Sequence, residues 1–327
     1  MSAWVDAVRA AGAVPASYRP EASAGRGDLE EVAGAEAVEE ADLRVHAIEE
    51  SRESRPTALS FLDGIQQWRV VAYEGVTPIV RAWVAAAVRR RGADRRLRTG
   101  LERARDLAIT RVAALSAPVR LALERSGVEI VDLAEEDATQ PARALEAARR
   151  AVENARVALE KDLGERWAAA LDPAAWLVLD GVLSESARLA AHPRVLGVVK
   201  SHAAQYFTGA ELERALTVPD AHRTSVFRPR GRARHEVHSW YLRLWPWEGN
   251  DLLYGLLRVE ARPHPETVAA ASATSAWLYA ERAPLATPDA RWDRLVYPIH
   301  DVETYLRARA PRDLLPASGF RLPLTAS

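Results

Sequence analysis

The sequence WLVLDGVL, residues 176–183, is followed closely by VLGVVKS, residues 195–201. Each segment begins as an apolar run of strand length, and the runs lead to Asp180 and Lys200. Short apolar runs bounded by turn residues are typical of buried strands. The two segments therefore predict strands that carry a carboxylate and a lysine to the rim of a sheet.

The same pattern occurs earlier in ALSFLDGIQQWRVVAYEG, residues 58–75. We interpret residues 56–91 as a β-meander in which Asp63 and Gly64 end the first strand. Two strand-borne aspartates, Asp63 and Asp180, are then expected to share one edge of one sheet.

Composition narrows the class of protein. The chain has 327 residues, of which 48% are hydrophobic and 27% charged, as expected for one elaborated globular domain or two small ones. Because it contains no cysteine, thiolate metal sites and cysteine nucleophiles are excluded. No apolar run approaches the roughly 18 residues of a membrane helix, and the N-terminus lacks a signal-peptide pattern, so we expect no membrane partner and a cytoplasmic location.

The formal net charge of −1 does not indicate a nucleic-acid partner. The basic residues are nearly all arginine, and Lys161 and Lys200 are the only lysines. A lysine at a strand end in such a chain suggests a specific role for Lys200.

Residues 1–55 are expected to form an N-terminal arm that docks a partner or mediates dimerisation. They contain a short amphipathic helix, Ala3 to Ala11, and an acidic tract, Asp28 to Glu50. A loosely held tail is the alternative. The main domain is then expected to span residues 56–320.

Residues 92–171 are predicted to be a long, arginine-rich helical insertion. From Asp94 to Ser126, apolar residues recur at spacings of three and four, and a second helix is predicted from Thr139 and Pro141 to about Leu171. The arginines of the first helix form either a phosphate-binding surface or a solvated face. Three glutamates of the second helix lie seven residues apart on one edge of its apolar stripe: Glu146, Glu153 and Glu160.

The segment from His222 to His238 is the strongest local candidate for nucleic-acid contact. Arginine makes bidentate contacts with phosphate, and Phe227 offers a ring on which a base can stack. The predicted contacts are Arg228, Arg230, Arg232 and Arg234. Beyond this loop we predict a hairpin around residues 248–250, a helix from Pro265 to Tyr279 and a last helix near Tyr297, His300, Asp301 and Glu303.

These elements define a candidate site for metal-dependent phosphoryl chemistry. Hydrolysis of a phosphodiester requires charge neutralisation and an activated water, which carboxylate-bound Mg²⁺ or Mn²⁺ ions supply. A set of ligands for such ions is offered by Asp63, one helix glutamate, Asp180 and a C-terminal histidine or acid. Their order along the chain is that of an RNase H-like nuclease, an α/β fold with a mixed sheet flanked by helices. The chain lacks GxxxxGK[ST], GxSxG and HExxH motifs.

An ordered set of five motifs resembles the NurA nuclease family. The motifs span roughly residues 56–309 and are LDG at 62–64, LDGVL at 179–183, LGVVKS at 196–201, LLRVEARP at 256–263 and YPIH at 297–300. The resemblance implies an RNase H-like, Mn²⁺-dependent nuclease that degrades DNA from 5′ ends. It also implies a homodimer that docks on a HerA-type hexameric translocase in DNA end resection, repair or phage defence.

The resemblance also implies roles for individual residues. Asp63 and Asp180 would be metal ligands, Lys200 would contact the phosphate, and Glu153 is preferred to Glu160 as the helix ligand. His300 would be the C-terminal ligand, with Asp301 or Glu303 as alternatives, and Tyr297 would lie near the phosphate. Glu260 is either part of the site or a structural partner of an arginine. The alternative function is a catalytically weak DNA-binding subunit that recruits or regulates a translocase.

Overall fold

The structure is a computed structural model, and it describes residues 2–18, 33–49, 56–92, 96–134, 140–200, 202, 204–231, 234–248, 252–282 and 296–314. The helices are α1 (Ala3–Ala10), α2 (Ala117–Arg125), α3 (Pro141–Ala169), α4 (Ala187–Ala191), α5 (Gly209–Leu216), α6 (Pro265–Ala280) and α7 (Tyr297–Arg307). The strands are β1 (Val14–Tyr18), β2 (Ala35–Ala37), β3 (Val45–Ala47), β4 (Leu59–Glu74), β5 (Thr77–Arg91), β6 (Leu97–Thr110), β7 (Glu129–Asp132), β8 (Trp176–Asp180), β9 (Val195–Val199), β10 (His222–Thr224), β11 (Phe227–Pro229), β12 (His238–Arg243) and β13 (Leu256–Ala261).

One mixed sheet contains all the described strands, and most of its pairings are antiparallel. Its main path runs β2-β11-β12-β13-β9-β8-β4-β5-β6-β7. The long strands β4, β5 and β6 form an antiparallel meander, whereas β8 pairs in parallel with both β4 and β9. The prediction of an α/β protein with a mixed sheet flanked by helices is confirmed. Within the described residues, no helix is both long enough and apolar enough to cross a bilayer.

The predicted end of the first strand at Asp63 and Gly64 is wrong. Strand β4 continues through both residues to Glu74, since Asp63 pairs with Ala87 and Gly64 with Ala86 of β5. This continuous ladder overrides the turn preference of an Asp-Gly pair. The parallel neighbour β8 pairs with β4 only as far as Leu62, and its last residue is Asp180. Asp63 therefore lies beside the end of β8, although its own strand continues.

The predicted helix from Asp94 to Ser126 is also wrong in its larger part. Residues 97–110 form β6, residues 112–114 form a single 3-10 turn, and only residues 117–125 form an α-helix. The register of β6 shifts where Thr99 pairs with Arg89 and Leu101 pairs with Val88, which leaves Gly100 as an extra residue. This bulge places Leu97 and Leu101 on opposite faces of the sheet. Their spacing of four therefore does not reflect a helical period. The second predicted helix is confirmed as α3, with Pro141 in its first turn.

The two faces of the sheet have separate hydrophobic cores. Helix α3 packs through Val152, Leu159 and Leu163 on the face that carries Leu62. Helices α6 and α7 cover the opposite face, where Phe61 lies. Because side chains alternate along a strand, Asp63 shares the α7 face with Phe61, whereas Gly64 faces α3.

The described parts of residues 1–55 contribute strands to the same sheet, and α1 packs on it in a third hydrophobic cluster. Trp4, Val5 and Val8 of α1 are buried against the sheet near Ile79. Strand β1 pairs with β4, β2 with β11, and β3 with β10. Part of the acidic tract, Asp28 to Glu50, lies outside the described residues.

Candidate active site

Three polar residues from neighbouring strands meet at one rim of the sheet. Asp63 lies in β4, Asp180 ends β8, and Lys200 directly follows β9. The Nζ atom of Lys200 donates a hydrogen bond to Oδ2 of Asp180 over 2.8 Å. Asp63 is only 6% exposed, and its Oδ1 accepts a hydrogen bond from the backbone N–H of Gly64. The expectation that the two aspartates share one edge of the sheet agrees with this arrangement.

Helix α3 brings Glu160 to this group from the other side of the sheet. A Cβ atom built on Gly64 would lie 2.3 Å from Oε1 of Glu160, so only glycine leaves room for this carboxylate. Arg156, one turn earlier, lies 2.5 Å from Glu160 and also donates to Oε1 of Gln66 on β4. Glu160 is thereby held over the strand that carries Asp63.

The structure does not bring Glu153, the preferred helix ligand, to this rim. Its side chain is 46% exposed and pairs with Arg149 over 3.3 Å. Seven helical residues correspond to about 10 Å along the axis, so Glu153 and Glu160 cannot occupy the same position. Glu160, the alternative, is the helix carboxylate next to Asp63.

The residues of α7 are arranged differently from what the resemblance implied. Tyr297 is 39% exposed. His300 lies 3.5 Å from Glu303, and Asp301 forms an ion pair with Arg89. Among these described residues, no hydrogen bond or ion pair joins Tyr297 or His300 to Asp63, Asp180 or Lys200. Glu303 is the residue of α7 whose charge acts on Lys200, where it helps to raise the pKa of the ammonium.

Burial has the largest effect on the electrostatics of the site, and repulsion between the carboxylates adds to it. Burial raises the pKa of Asp63 well above its ordinary value, and the charges of Asp180 and Glu160 raise it further, whereas Lys200 opposes the shift. Burial also raises the pKa of Glu160 to about 7, although Arg156 counteracts it. Burial lowers the pKa of Lys200, but Asp180 and Asp63 outweigh this effect and leave it raised. The site therefore favours the uptake of protons or other cations.

The donor chemistry of the site fits a hard divalent cation. Asp63, Glu160 and Asp180 offer carboxylate oxygens, the ligands that Mg²⁺ and Mn²⁺ prefer. In the structure, however, Lys200 and Arg156 pair with Asp180 and Glu160. Within the described ranges, no three His, Cys, Asp or Glu side chains stand close enough to form a ready-made metal site.

The loop after Asp180 is held by glycines and by a buried glutamate. Gly181 has φ +120, a conformation that L side chains rarely adopt, and its carbonyl oxygen lies against Gly197 of β9. Glu260 accepts the backbone N–H of Leu183 over 2.7 Å and lies 2.5 Å from Arg258. Of the two roles considered for Glu260, the structure therefore shows the structural one, as the partner of an arginine.

The arginines predicted to contact nucleic acid are paired with acidic side chains. Arg228 and Arg230 both interact with Glu36, and Arg234 lies 3.4 Å from Glu185. Arg232 lies outside the described residues. In this structure the described arginines tie β11 and its loop to β2 and to the segment after Asp180.

Sequence reasoning missed the roles of Arg156 and Gln66 in holding the helix carboxylate. Arg156 and Glu160 are four residues apart, the spacing of an ion pair on a helix, and this was an available signal. Nothing in the sequence pairs Gln66 with Arg156, because that contact depends on how α3 packs on β4.

No protein-family model matches the chain, and no curated protein matches its sequence.

Replacing Gly197 with alanine should destabilise the loop that follows Asp180. The new Cβ would lie 2.6 Å from the carbonyl oxygen of Gly181, a backbone atom with little freedom to move. We expect Gly197→Ala to lower the free energy of unfolding by about 1–3 kcal/mol, measured by urea denaturation. Gly164→Ala is the control, since its Cβ would meet the flexible side-chain ends of Leu189 and Leu62 and no backbone atom. Equal stability of Gly197→Ala and the wild type would show that this contact does not constrain the loop.

The stability of the metal-free protein should fall as pH rises through the range in which Glu160 titrates. Its pKa is about 7 in the folded chain against an ordinary value of 4.5, so between these values the folded state holds a proton that the unfolded state has lost. This bound proton adds to the free energy of unfolding. The added stability is fully present below pH 4.5 and is lost as the pH approaches about 7. Urea denaturation at pH 5, 6, 7 and 8 in EDTA should show a smaller decline for Glu160→Gln. The control Glu153→Gln should follow the wild type, and a Glu160→Gln profile identical to the wild type would contradict this assignment.

Proposed function

We propose that this chain is a metal-dependent nuclease that hydrolyses phosphodiester bonds in DNA. The observation that carries the proposal is that the charges of Asp63, Glu160 and Asp180 act on one another beside Lys200. Strand β4 contributes Asp63, β8 contributes Asp180, and α3 contributes Glu160. Lys200 directly follows β9. A group of mutually repelling carboxylates with one buried member, Asp63, is costly for a fold, and holding divalent cations is a function that would use such a group.

The topology supports an RNase H-like assignment within this proposal. The central strands have the order β6-β5-β4-β8-β9, with β5 antiparallel to its neighbours and β8 parallel to both β4 and β9. Helix α3 connects the meander to β8 and delivers Glu160. This arrangement agrees with the sequence order of strand aspartate, helix glutamate and strand aspartate.

Each residue would have a separate task in the reaction. Asp63, Glu160 and Asp180 would hold Mn²⁺ or Mg²⁺, which supplies charge neutralisation at the phosphate and an activated water. Lys200, 2.8 Å from Asp180, would place a fixed positive charge beside the scissile phosphate. We assign the C-terminal acid to Glu303, in the place that the resemblance gave to His300, because the charge of Glu303 acts on Lys200.

We extend the proposal to degradation from 5′ ends, dimer formation and docking on a HerA-type translocase. These parts rest on the ordered NurA-like motifs. LDG lies within β4, LDGVL begins at the end of β8, LGVVKS ends just after β9, LLRVEARP begins with β13, and YPIH opens α7. The three motifs that contain Asp63, Asp180 and Lys200 meet at one rim.

A second candidate is a DNA-binding subunit with little catalytic power that recruits the translocase. The ion pairs of Asp180 with Lys200 and of Glu160 with Arg156 favour it, because they occupy carboxylates that a cation would need. The two candidates differ in one observable, which is cleavage by the purified chain.

Cleavage of end-labelled linear DNA in Mn²⁺, Mg²⁺ or EDTA tests the proposal. We expect Mn²⁺-dependent degradation by the wild type and at least a hundredfold loss, to order of magnitude, in Asp63→Asn, because a ligand carboxylate is removed. The control Asp162→Asn removes an exposed carboxylate that pairs with Arg103 and Arg166, and it should retain activity.

The helix ligand is tested in the same assay. Glu160→Gln should lose activity, whereas Glu153→Gln should keep it. Full cleavage by Asp63→Asn or Glu160→Gln would remove the proposed site. If the wild type is inactive alone and remains inactive with a HerA-type partner, the DNA-binding subunit becomes the better account.

A further inference from the structure

Arg156 of α3 connects the helix carboxylate of the proposed site to strand β4. Its Nη1 atom lies 2.5 Å from Oε1 of Glu160, and its Nε atom donates a hydrogen bond to Oε1 of Gln66 over 3.2 Å. The side chain of Arg156 is 26% exposed, so it is partly open to solvent. Gln66 therefore anchors one side of a guanidinium group whose other side faces a proposed ligand of the ion.

The ion pair at the site differs from a surface ion pair on the same helix. Arg149 and Glu153 repeat the same spacing seven residues earlier, 3.3 Å apart, with side chains 39% and 46% exposed. Such exposed pairs contribute little to stability. Glu160 is only 12% exposed, because it lies against β4 in the space that Gly64 leaves. With so little water around it, this carboxylate requires a positive partner, and Arg156 is that partner in the metal-free protein.

A divalent cation at the site and the guanidinium of Arg156 would compete for the same carboxylate. The charges of Glu160 and Asp63 both act on Arg156, so an ion bound by these two carboxylates would lie close to the guanidinium. Two positive groups repel each other strongly where little water separates them. Binding of the ion should therefore turn the guanidinium away from Glu160.

We propose that Arg156 holds Glu160 in the metal-free protein and, once a divalent cation replaces it there, binds a phosphate of the DNA. Its Nε atom would keep the hydrogen bond to Gln66, while its Nη atoms would turn to the phosphate oxygens, which guanidinium binds strongly. The ion pair in the structure is then one of two positions of Arg156, and the bound ion decides between them. This inference rests on the proposed function, because it requires both the ion and the DNA.

Calorimetric titration of the full chain with Mn²⁺ tests the exchange at Glu160. Arg156→Gln should bind Mn²⁺ about tenfold more tightly than the wild type, because a competing positive charge is removed. Arg156→Lys keeps that charge, so its affinity should stay within about threefold of the wild type. The matched control Arg149→Gln breaks an exposed pair with the same spacing and should bind as the wild type does. Weaker or unchanged binding in Arg156→Gln, or a larger change in Arg156→Lys, would overturn the exchange.

Cleavage of linear DNA at saturating Mn²⁺ tests the phosphate contact on the same variants. Arg156→Gln should cleave about tenfold more slowly although it holds the ion more tightly, because a charge-assisted contact with the phosphate is lost. A residue that only supported the fold would not change the two quantities in opposite directions. A wild-type rate in Arg156→Gln would overturn the phosphate contact.

The same measurements separate this inference from the proposed function. If the wild type and Arg149→Gln bind Mn²⁺ and cleave DNA, and Arg156→Gln is identical to them, this inference is wrong and the nuclease assignment stands. If the wild type neither binds Mn²⁺ nor cleaves DNA, the proposed function is wrong, and the inference is wrong with it.

Discussion

The candidate site depends on carboxylates held where little water reaches them and close enough to repel one another. Asp63 is almost fully removed from water, and its charge is opposed by those of Asp180 and Glu160. In bulk water this repulsion would be weak, but at a poorly solvated rim it shifts pKa values and requires compensation. Lys200 and Arg156 provide that compensation in the structure. Removing either cation would leave a poorly solvated carboxylate without its partner, which destabilises a fold.

Small residues allow these charged groups to approach. Gly64 leaves space for Glu160 above β4, and Gly197 leaves space for the carbonyl of Gly181 next to Asp180. Farther from the rim, Glu260 holds the segment after Asp180 through the backbone N–H of Leu183. The geometry of the site is therefore set by backbone contacts as well as by the charged residues themselves.

The elements best predicted from sequence are those whose local pattern agrees with their tertiary surroundings. Strands β8 and β9 are short apolar runs buried on both faces, and they end where the sequence indicates. Helix α3 has an uninterrupted apolar stripe and begins at Pro141. Asp180 and Lys200 follow apolar runs and lie at strand ends as predicted, whereas Asp63 reaches the same rim although its own strand continues.

The errors arose where distant pairing decided the structure. The Asp63-Gly64 step resembles a strand end, but β5 continues the ladder past it. In β6, Leu97 and Leu101 have a helical spacing in the sequence, but they lie on opposite faces of the sheet. The choice between Glu153 and Glu160 depends on which turn of α3 lies over Gly64, and both residues have the same position in a seven-residue pattern. Such information resides in contacts between segments far apart in sequence.

The central claim is that Asp63, Glu160 and Asp180 together form a site for divalent cations. Calorimetric titration of the metal-free protein with Mn²⁺ at pH 7, in two buffers of different ionisation enthalpy, tests it most directly. Because the pKa of Asp63 is raised and that of Glu160 is about 7, ion binding should release protons, and the observed heat should differ between the buffers. The account predicts saturable binding with proton release, both lost in Asp63→Asn. Absence of saturable binding, or binding that Asp63→Asn leaves unchanged, would contradict it.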